Sequence, residues 1–488
     1  MVIFFLLTIL GTGAYITNGH DWGDDFSEYI LQGISIADGS YATEHVTNGL
    51  FFIYPHGFPL LIAVMYRLFG FNLLAFKLIS VVMYASFVAV FFHFCDKRLR
   101  RITALILAFL FAFSPCLYKL VDCILSDVSN MLFSFIALYF MVCFFDSVCE
   151  RRKLVCSCAI GFFSFCAYIC RDSGIVLPCT FAAMQVLYCI GVLSQGRNVR
   201  VNFRTILVHI LPYIVFFLFS FWVNDMLFVS PARKQMGLFC NLSLNSIISN
   251  IPYYFSIISY FFYPRFLWFA VFTAIFWAMV KSVRQDSVLI VYFLGIMGLY
   301  IIWPIIQGIR YIVSALPVLI FFCGRAVELL YDSSDNQNRK IGVPLFVFNW
   351  QSYVVIAVLF CICSLFVCVV AGVNNMVSGR YLVNGSYSKE AVEMYQYINE
   401  NISDDRRIFF FKPRVLFMTT GNASGNFQLS PDQPEGTPDF DYYLHTFDHG
   451  YGQLLSDKQA SEDSFYIGDA EFTCIHENEK MRLFRRRP

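Results

Sequence analysis

Long apolar runs separated by short polar connections dominate the chain up to about residue 373. A membrane-spanning helix needs about 20 predominantly apolar residues. Eleven runs meet or approach that length, at 2–17, 73–94, 103–120, 128–148, 154–170, 175–194, 205–227, 263–280, 287–304, 311–330 and 346–373. The first has neither a basic flank nor a small-residue cleavage site, so a retained anchor is expected rather than a signal peptide. A shorter stretch, 58–69, is expected to lie along the membrane surface. Beyond residue 373 the pattern changes. "YSKEAVEMYQYINENISDDRR" (387–407) brings Ala391, Met394, Tyr395 and Ile398 onto one helical face. "RIFFF" (407–411), "DYYLHT" (441–446) and "CIHENEKMRLFRR" (474–486) suggest strands, and 421–440 is loop by composition. The expected architecture is a polytopic α-helical membrane module, 1–373, followed by a small α/β domain, 374–488.

Composition agrees with this pattern. The chain is 58% hydrophobic and 14% charged, against roughly 45–50% and about 25% in soluble domains. A formal net charge of +1 argues against a nucleic-acid partner. Nearly all the cysteines sit inside apolar runs such as "KLVCSCAIGFFSFCAYIC" (153–170), where cysteine acts as a small hydrophobe. No disulfide framework or zinc spacing is visible.

Charge orients the spans. Lys97, Arg98, Arg100 and Arg101 follow the second run, and Arg151, Arg152 and Lys153 the fourth. Arg197, Arg200 and Arg204 follow the sixth, Lys281 and Arg284 the eighth, and Arg339 and Lys340 the tenth. Basic connections mark the cytoplasmic side. The N-terminus is therefore expected in the cytoplasm, with 18–72, 228–262 and the tail outside.

The first outer segment opens with "GHDWGDDFSEYI" (19–30), which holds His20, Asp21, Asp24, Asp25 and Glu28. One reading is a solvated loop that fixes topology. The other is a carboxylate that activates a hydroxyl or amine by taking its proton. Trp22, Gly23, Phe26 and Tyr29 give that carboxylate an aromatic setting. Four basic residues break the charge rule by standing at outer span ends, namely Lys119, Arg171, Arg265 and Arg310. Singly, each could snorkel or pair locally, as Arg171 could with Asp172. As a group they suit the oxygens of a phosphate. Asp127 in "LSDVSN" is either a second pocket acid or a helix cap. Together these residues describe a lipid phosphate or diphosphate docking at the outer leaflet beside an acidic loop.

These residues resemble the GT-C superfamily of polyprenyl-phosphate-sugar-dependent glycosyltransferases. The nearer likeness is to the branch with protein O-mannosyltransferases and the lipid A aminoarabinose transferase. Its hallmark is an acidic pair followed by an aromatic residue. "DFSEY" sets Asp25 at the hallmark spacing from Tyr29, with Phe26 in place of the usual Glu and Asp24 as an extra acid. "LQGISIADG" (31–39), "YPHGFPLLIAVMYRLFGFN" (54–72, with His56 where proline is common), "RDSGIVLP" (171–178), "RYIVSALPVLIFF" (310–322) and "KPRVLFMTTG" (412–421) resemble further family segments in order.

The resemblance implies an inverting transfer of a sugar from a polyprenyl-phosphate donor to a lipid, glycan or protein acceptor at the outer face of a bacterial inner membrane. Asp25 would be the base and Asp24 its rival. Arg171, Arg310, Arg265, Lys119, Tyr29, His56 and Asp127 would surround the substrates. No ligand cluster demands a metal or other cofactor, though Asp24, Asp25 and His56 could host a divalent ion. A polysaccharide ligase or polymerase would use a large late loop instead. A transporter would carry its ionisable groups at mid-span.

The orientation is testable with accessible native cysteines replaced. A cysteine introduced at Gly421 should label from outside intact cells, and one at Arg200 only after permeabilisation. The reverse pattern rejects the assignment.

Overall fold

The computed structural model describes residues 1–39, 54–190, 203–227, 244–261, 268–303, 308–338, 350–380, 384–424, 440–450, 452–467 and 470–487. In chain order the helices are α1 (Val2–Tyr15), α2 (Asp25–Asp38), α3 (Gly57–Phe69), α4 (Leu73–Arg98), α5 (Arg101–Ala112), α6 (Pro115–Val121), α7 (Asp127–Asp146), α8 (Glu150–Cys170), α9 (Val176–Cys189), α10 (Phe203–Leu227), α11 (Leu244–Ile258), α12 (Trp268–Lys281), α13 (Ser287–Ile301), α14 (Leu316–Asn338) and α15 (Trp350–Val377). A small domain follows, with α16 (Lys389–Asn401), α17 (Pro413–Thr420) and α18 (Asp457–Ala460). Its strands are β1 (Ile408–Phe409), β2 (Tyr442–Thr446), β3 (Ser464–Ile467), β4 (Ala470–Glu477) and β5 (Met481–Arg486).

Among the described residues, seven helical segments are long and apolar enough to cross a membrane. The expected span 103–120 is instead two helices, α5 and α6, meeting at 50°. Pro115 opens α6 and has no N–H to continue the preceding turn. Counted as one broken span, the pair makes eight. Three further expected spans, α1, α12 and α13, are apolar helices of 14, 14 and 15 residues, shorter than a straight crossing requires. The stretch expected along the membrane surface is α3, a separate 13-residue helix.

The bundle is built around α4, α7 and α14, whose apolar surfaces are mostly buried, whereas α10 and α15 turn most of theirs outward. Aromatic side chains lock the centre. Phe87 and Phe91 meet Phe111 and Phe135 with ring centroids 4.7–5.7 Å apart. Buried charges accompany this packing. Lys77 on α4 is fully buried, and its ammonium donates to the carbonyls of Thr17 (2.9 Å) and Gly19 (2.6 Å) and to Asp122 (2.7 Å). It ties the chain leaving α1 to the end of α6. At the opposite end of α4, Arg98 bridges Asp146 and Asp286, and Arg325 shares Asp286.

The small domain carries a mixed sheet of order β1-β2-β5-β4-β3. Only β1 and β2 are parallel, with α17 in the connection between them. The stretch 474–486 is a hairpin of β4 and β5, with a register shift between Cys474 and His476. The edge strand β3 has no counterpart in the sequence reading. The amphipathic segment forms α16, and Ala391, Met394, Tyr395 and Ile398 are its buried residues. The domain sits on the acidic loop. Ser386 donates its backbone N–H to the carbonyl of His20 (3.1 Å). Gly385 beside it has φ +131°, and a Cβ there would lie 2.5 Å from that same oxygen, so the approach needs glycine.

Removing Lys77 should leave the partly buried Asp122 without its cation, and the carbonyls of Thr17 and Gly19 without their buried donor. Lys77→Met is expected to destabilise the protein by about 3–5 kcal/mol, read by thermal unfolding in detergent. Adding Asp122→Asn should recover part of the loss.

Candidate active site

The acidic loop is shaped by short-range contacts. His20 stacks on Phe26 with centroids 3.7 Å apart. Its Nε2 accepts the backbone N–H of Ile124 at 3.3 Å, so the neutral ring carries its proton on Nδ1 and points it at Asp21, 2.9 Å away. The chain then enters α2, whose first turn bears Asp25 and Glu28 where a helix N-terminus favours negative charge.

From Asp25 a line of alternating charges runs into the bundle. Arg310 Nη1 donates to Asp25 at 2.8 Å, and its Nε donates to Asp127 at 3.3 Å. Asp127 is wholly buried and is held from its other side by Arg171. The Arg171 guanidinium lies 3.9 Å from the centre of the Tyr311 ring. The second oxygen of Asp25 accepts from the Tyr54 hydroxyl at 2.8 Å.

A further arginine arrives from the small domain. Arg414, in the first turn of α17, stands 3.6 Å from each of Asp24, Asp25 and Glu28 and donates to the Tyr54 oxygen at 3.2 Å. The three carboxyls respond differently. Burial pushes against ionisation of Asp25, but Arg310 and the Tyr54 hydroxyl outweigh it and hold the group below its ordinary value. For Asp24, burial prevails over Arg414, Lys412 and the backbone N–H of Val415, and the value is raised. Glu28 is pushed up to about 8 by burial, against the pull of Arg414 and the Gln32 amide. It is therefore a neutral acid at pH 7.

Asp25, Arg310, Lys119, Asp122 and His20 line one cavity of about 380 Å³. Of the expected site residues, Asp25, Arg310 and Lys119 share this wall, and Asp127 and Arg171 connect to it through Arg310. Asp24 instead faces α17. Arg171 pairs with Asp127, not with Asp172. Asp127 does not act as a cap. It is the first residue of α7, behind Ser126, and is committed to both arginines. Tyr29 braces the site from behind, bonded to Ser126 (2.9 Å) and stacked on Tyr54 (4.8 Å). His56 is buried at the start of α3. Arg265 lies outside the described residues.

Asp24, Asp25 and His56 do not form a metal-sized cluster. Among the described residues, the group with ligand atoms within 4.8 Å is His20, Asp21 and Cys123. Both ring nitrogens of His20 are already engaged there, by Ile124 and Asp21. Tyr54, Lys77 and Arg414 were not singled out by the sequence reading, and Glu28 was named only among the acids of the loop. A lone lysine inside the apolar run 73–94 was a usable signal for Lys77.

No family model matches the chain, and no curated protein matches it. Among solved structures it superposes on ArnT from Cupriavidus metallidurans bound to undecaprenyl phosphate, with TM-score 0.58, 12% identity, and 99% of this chain and 97% of that chain covered. It also superposes on the oligosaccharyltransferase of Archaeoglobus fulgidus in its apo form, with TM-score 0.58, 10% identity, and 91% and 69% covered. The archaeal oligosaccharyltransferase AglB from Archaeoglobus fulgidus, in complex with an inhibitory peptide and a dolichol-phosphate, gives TM-score 0.53 at 10% identity, with 87% and 64% covered. The chain shares the fold of these membrane proteins. The similarity runs through both the helical bundle and the sheet domain, since nearly all of this chain is covered by the ArnT superposition.

Glu28 makes stability depend on pH. Its folded value of about 8 lies above the ordinary 4.5, so between those values the folded state holds the proton that the unfolded state has released. Stability should fall as pH rises from about 4.5 to about 8 and then level off. Glu28→Gln should flatten that slope in detergent melting curves recorded across the same range.

Proposed function

We propose that the protein is an inverting glycosyltransferase that moves a sugar from a polyprenyl-phosphate donor to a hydroxyl or amine of a lipid, glycan or protein acceptor at the outer face of the membrane. The observation that carries this reading is the meeting of Asp25 with Arg310, at 2.8 Å, on the wall of a cavity that also holds Lys119. A base and a pair of cations on one wall suit a reaction in which a proton leaves one partner while phosphate leaves the other. The lipid tail of the donor would lie against the apolar bundle.

The acceptor oxygen or nitrogen bonds to the anomeric carbon, and the bond from that carbon to the phosphate oxygen breaks. The electron pair stays with polyprenyl phosphate, whose charge Arg310 and Lys119 offset. The acceptor's proton goes to Asp25. In the free protein Arg310 weakens Asp25 as a base by stabilising its charge. A phosphate that draws Arg310 toward itself would return basicity to Asp25 as the donor docks. Arg171 serves this scheme indirectly by holding Asp127, which in turn positions Arg310. Asp24 belongs to the contact with the small domain, which favours Asp25 as the base.

Two measurements test the reading. Arg310→Ala should weaken binding of undecaprenyl phosphate to the purified protein by about 1.5–3 kcal/mol, the worth of a charge-assisted hydrogen bond. Asp25→Asn keeps size and polarity, so it should retain that binding. In cells it should abolish the lipid or surface glycan that appears, by mass spectrometry, only with the gene present. Full glycan formation by Asp25→Asn would remove the carboxylate from catalysis.

A further inference from the structure

The small domain does more than cover the site. Its α17 brings one cation within 3.6 Å of each of three carboxyls at the start of α2, those of Asp24, Asp25 and Glu28. The side chain of Arg414 is nearly buried, so its charge is poorly screened by solvent. It also reaches Asp25 by a second route. Arg414 donates to the Tyr54 oxygen at 3.2 Å, and the Tyr54 hydroxyl donates to Asp25 at 2.8 Å. Such a chain polarises the middle hydroxyl and strengthens its bond to the carboxylate. Tyr54 is itself fixed by stacking on Tyr29. Asp24 faces the same end of α17, within 3.6 Å of the Arg414 guanidinium. This seats the start of α17 against the start of α2.

We propose that Arg414 is a positioning residue for Asp25, acting on it from the small domain both by charge and through the Tyr54 hydroxyl. The inference rests on the reading of Asp25 as the base. Two consequences separate this role from ordinary domain packing. Loss of the cation must change how Asp25 titrates, because a positive charge beside a carboxylate favours its ionised form. Loss of Tyr54's hydroxyl must move Asp25 in the same direction while leaving Arg414 in place.

The groups facing Asp25 bear on that titration. Asp24 and Glu28 lie on its own segment, Arg414 on α17 and Tyr54 ahead of α3. Arg310 comes from the turn before α14, with Asp127 and Arg171 behind it. Lys119, Asp122, His20 and Asp21 share the cavity. Arg310 remains beside Asp25 when Arg414 is removed, so the carboxylate should shift rather than lose all stabilisation. Glu28 and Asp24, which face Arg414 more directly, would shift too. The Asp25 signal must therefore be isolated.

Infrared titration of the purified full-length protein in detergent isolates it, taking the carboxylic-acid band present in each background and absent after adding Asp25→Asn. Arg414→Met should move the Asp25 inflection to higher pH, Tyr54→Phe should move it the same way by less, and Arg414→Lys should restore most of the original position. In cells, glycan formation should fall at least tenfold in Arg414→Met and partly recover in Arg414→Lys. An Asp25 inflection unmoved in both Arg414→Met and Tyr54→Phe overturns the proposal, and Arg414 is then only a packing contact. If Arg414→Met does not fold, Tyr54→Phe and Arg414→Lys decide the matter, since both keep the domain's cation. In that case an unmoved inflection in Tyr54→Phe overturns it. The parent reading fails separately, by full glycan formation in Asp25→Asn.

Discussion

Opposite charges in a low-dielectric setting must meet partners or stay unformed, and that constraint organises the centre of this molecule. Arg171, Asp127, Arg310 and Asp25 alternate in sign from the bundle interior to the cavity. Each inner member fixes the next. The side chain of Asp127 has no exposure, so its two arginines are what make its burial tolerable. Arg310 then has a defined reach, with one edge on Asp127 and the other on Asp25. The cavity acquires an ionised carboxylate and a cation at hydrogen-bond distance without relying on a flexible surface loop.

The same economy of pairing appears where the first loop leaves α1. Lys77 and Asp122 sit beneath it, and Thr17 donates both its backbone N–H and its hydroxyl to Asp122. The loop is therefore gripped from the bundle side by the ion pair of buried Lys77 with Asp122 and from the other side by Ser386 and Arg414. The acids of "GHDWGDDFSEYI" are not one solvated patch. Asp21 serves His20, Asp24 meets α17, Asp25 lines the cavity, and Glu28 is a buried neutral acid.

Local patterns carried much of this. Apolar run length located the helices, and the heptad-like spacing of Ala391, Met394, Tyr395 and Ile398 located α16 and its buried face. Asp25, Arg310 and Lys119 were legible because charge is expensive near apolar helices and therefore conspicuous there. The break at Pro115 was written in the sequence but hidden by the continuous hydrophobicity of 103–120. The β3 strand is four residues long at a sheet edge, where alternation has little room to show. Arg414 was illegible for a different reason. Its partners lie some 360 positions earlier, and no periodicity records a contact at that separation. The pairing of Arg171 with Asp127 was hidden for the same reason, since 44 positions separate them.

The seating of the small domain on the first loop also has a consequence for biosynthesis. Ser386 closes a contact with His20 across 366 residues, and Arg414 follows it in the chain. By the time the ribosome reaches them, every apolar helix has already been made. A nascent or prematurely terminated chain can thus hold an inserted bundle with Asp25 and Arg310 in place, yet lack the cation that completes the carboxylate's surroundings. Docking of the small domain, rather than insertion of the bundle alone, is the event that brings this cation to the site.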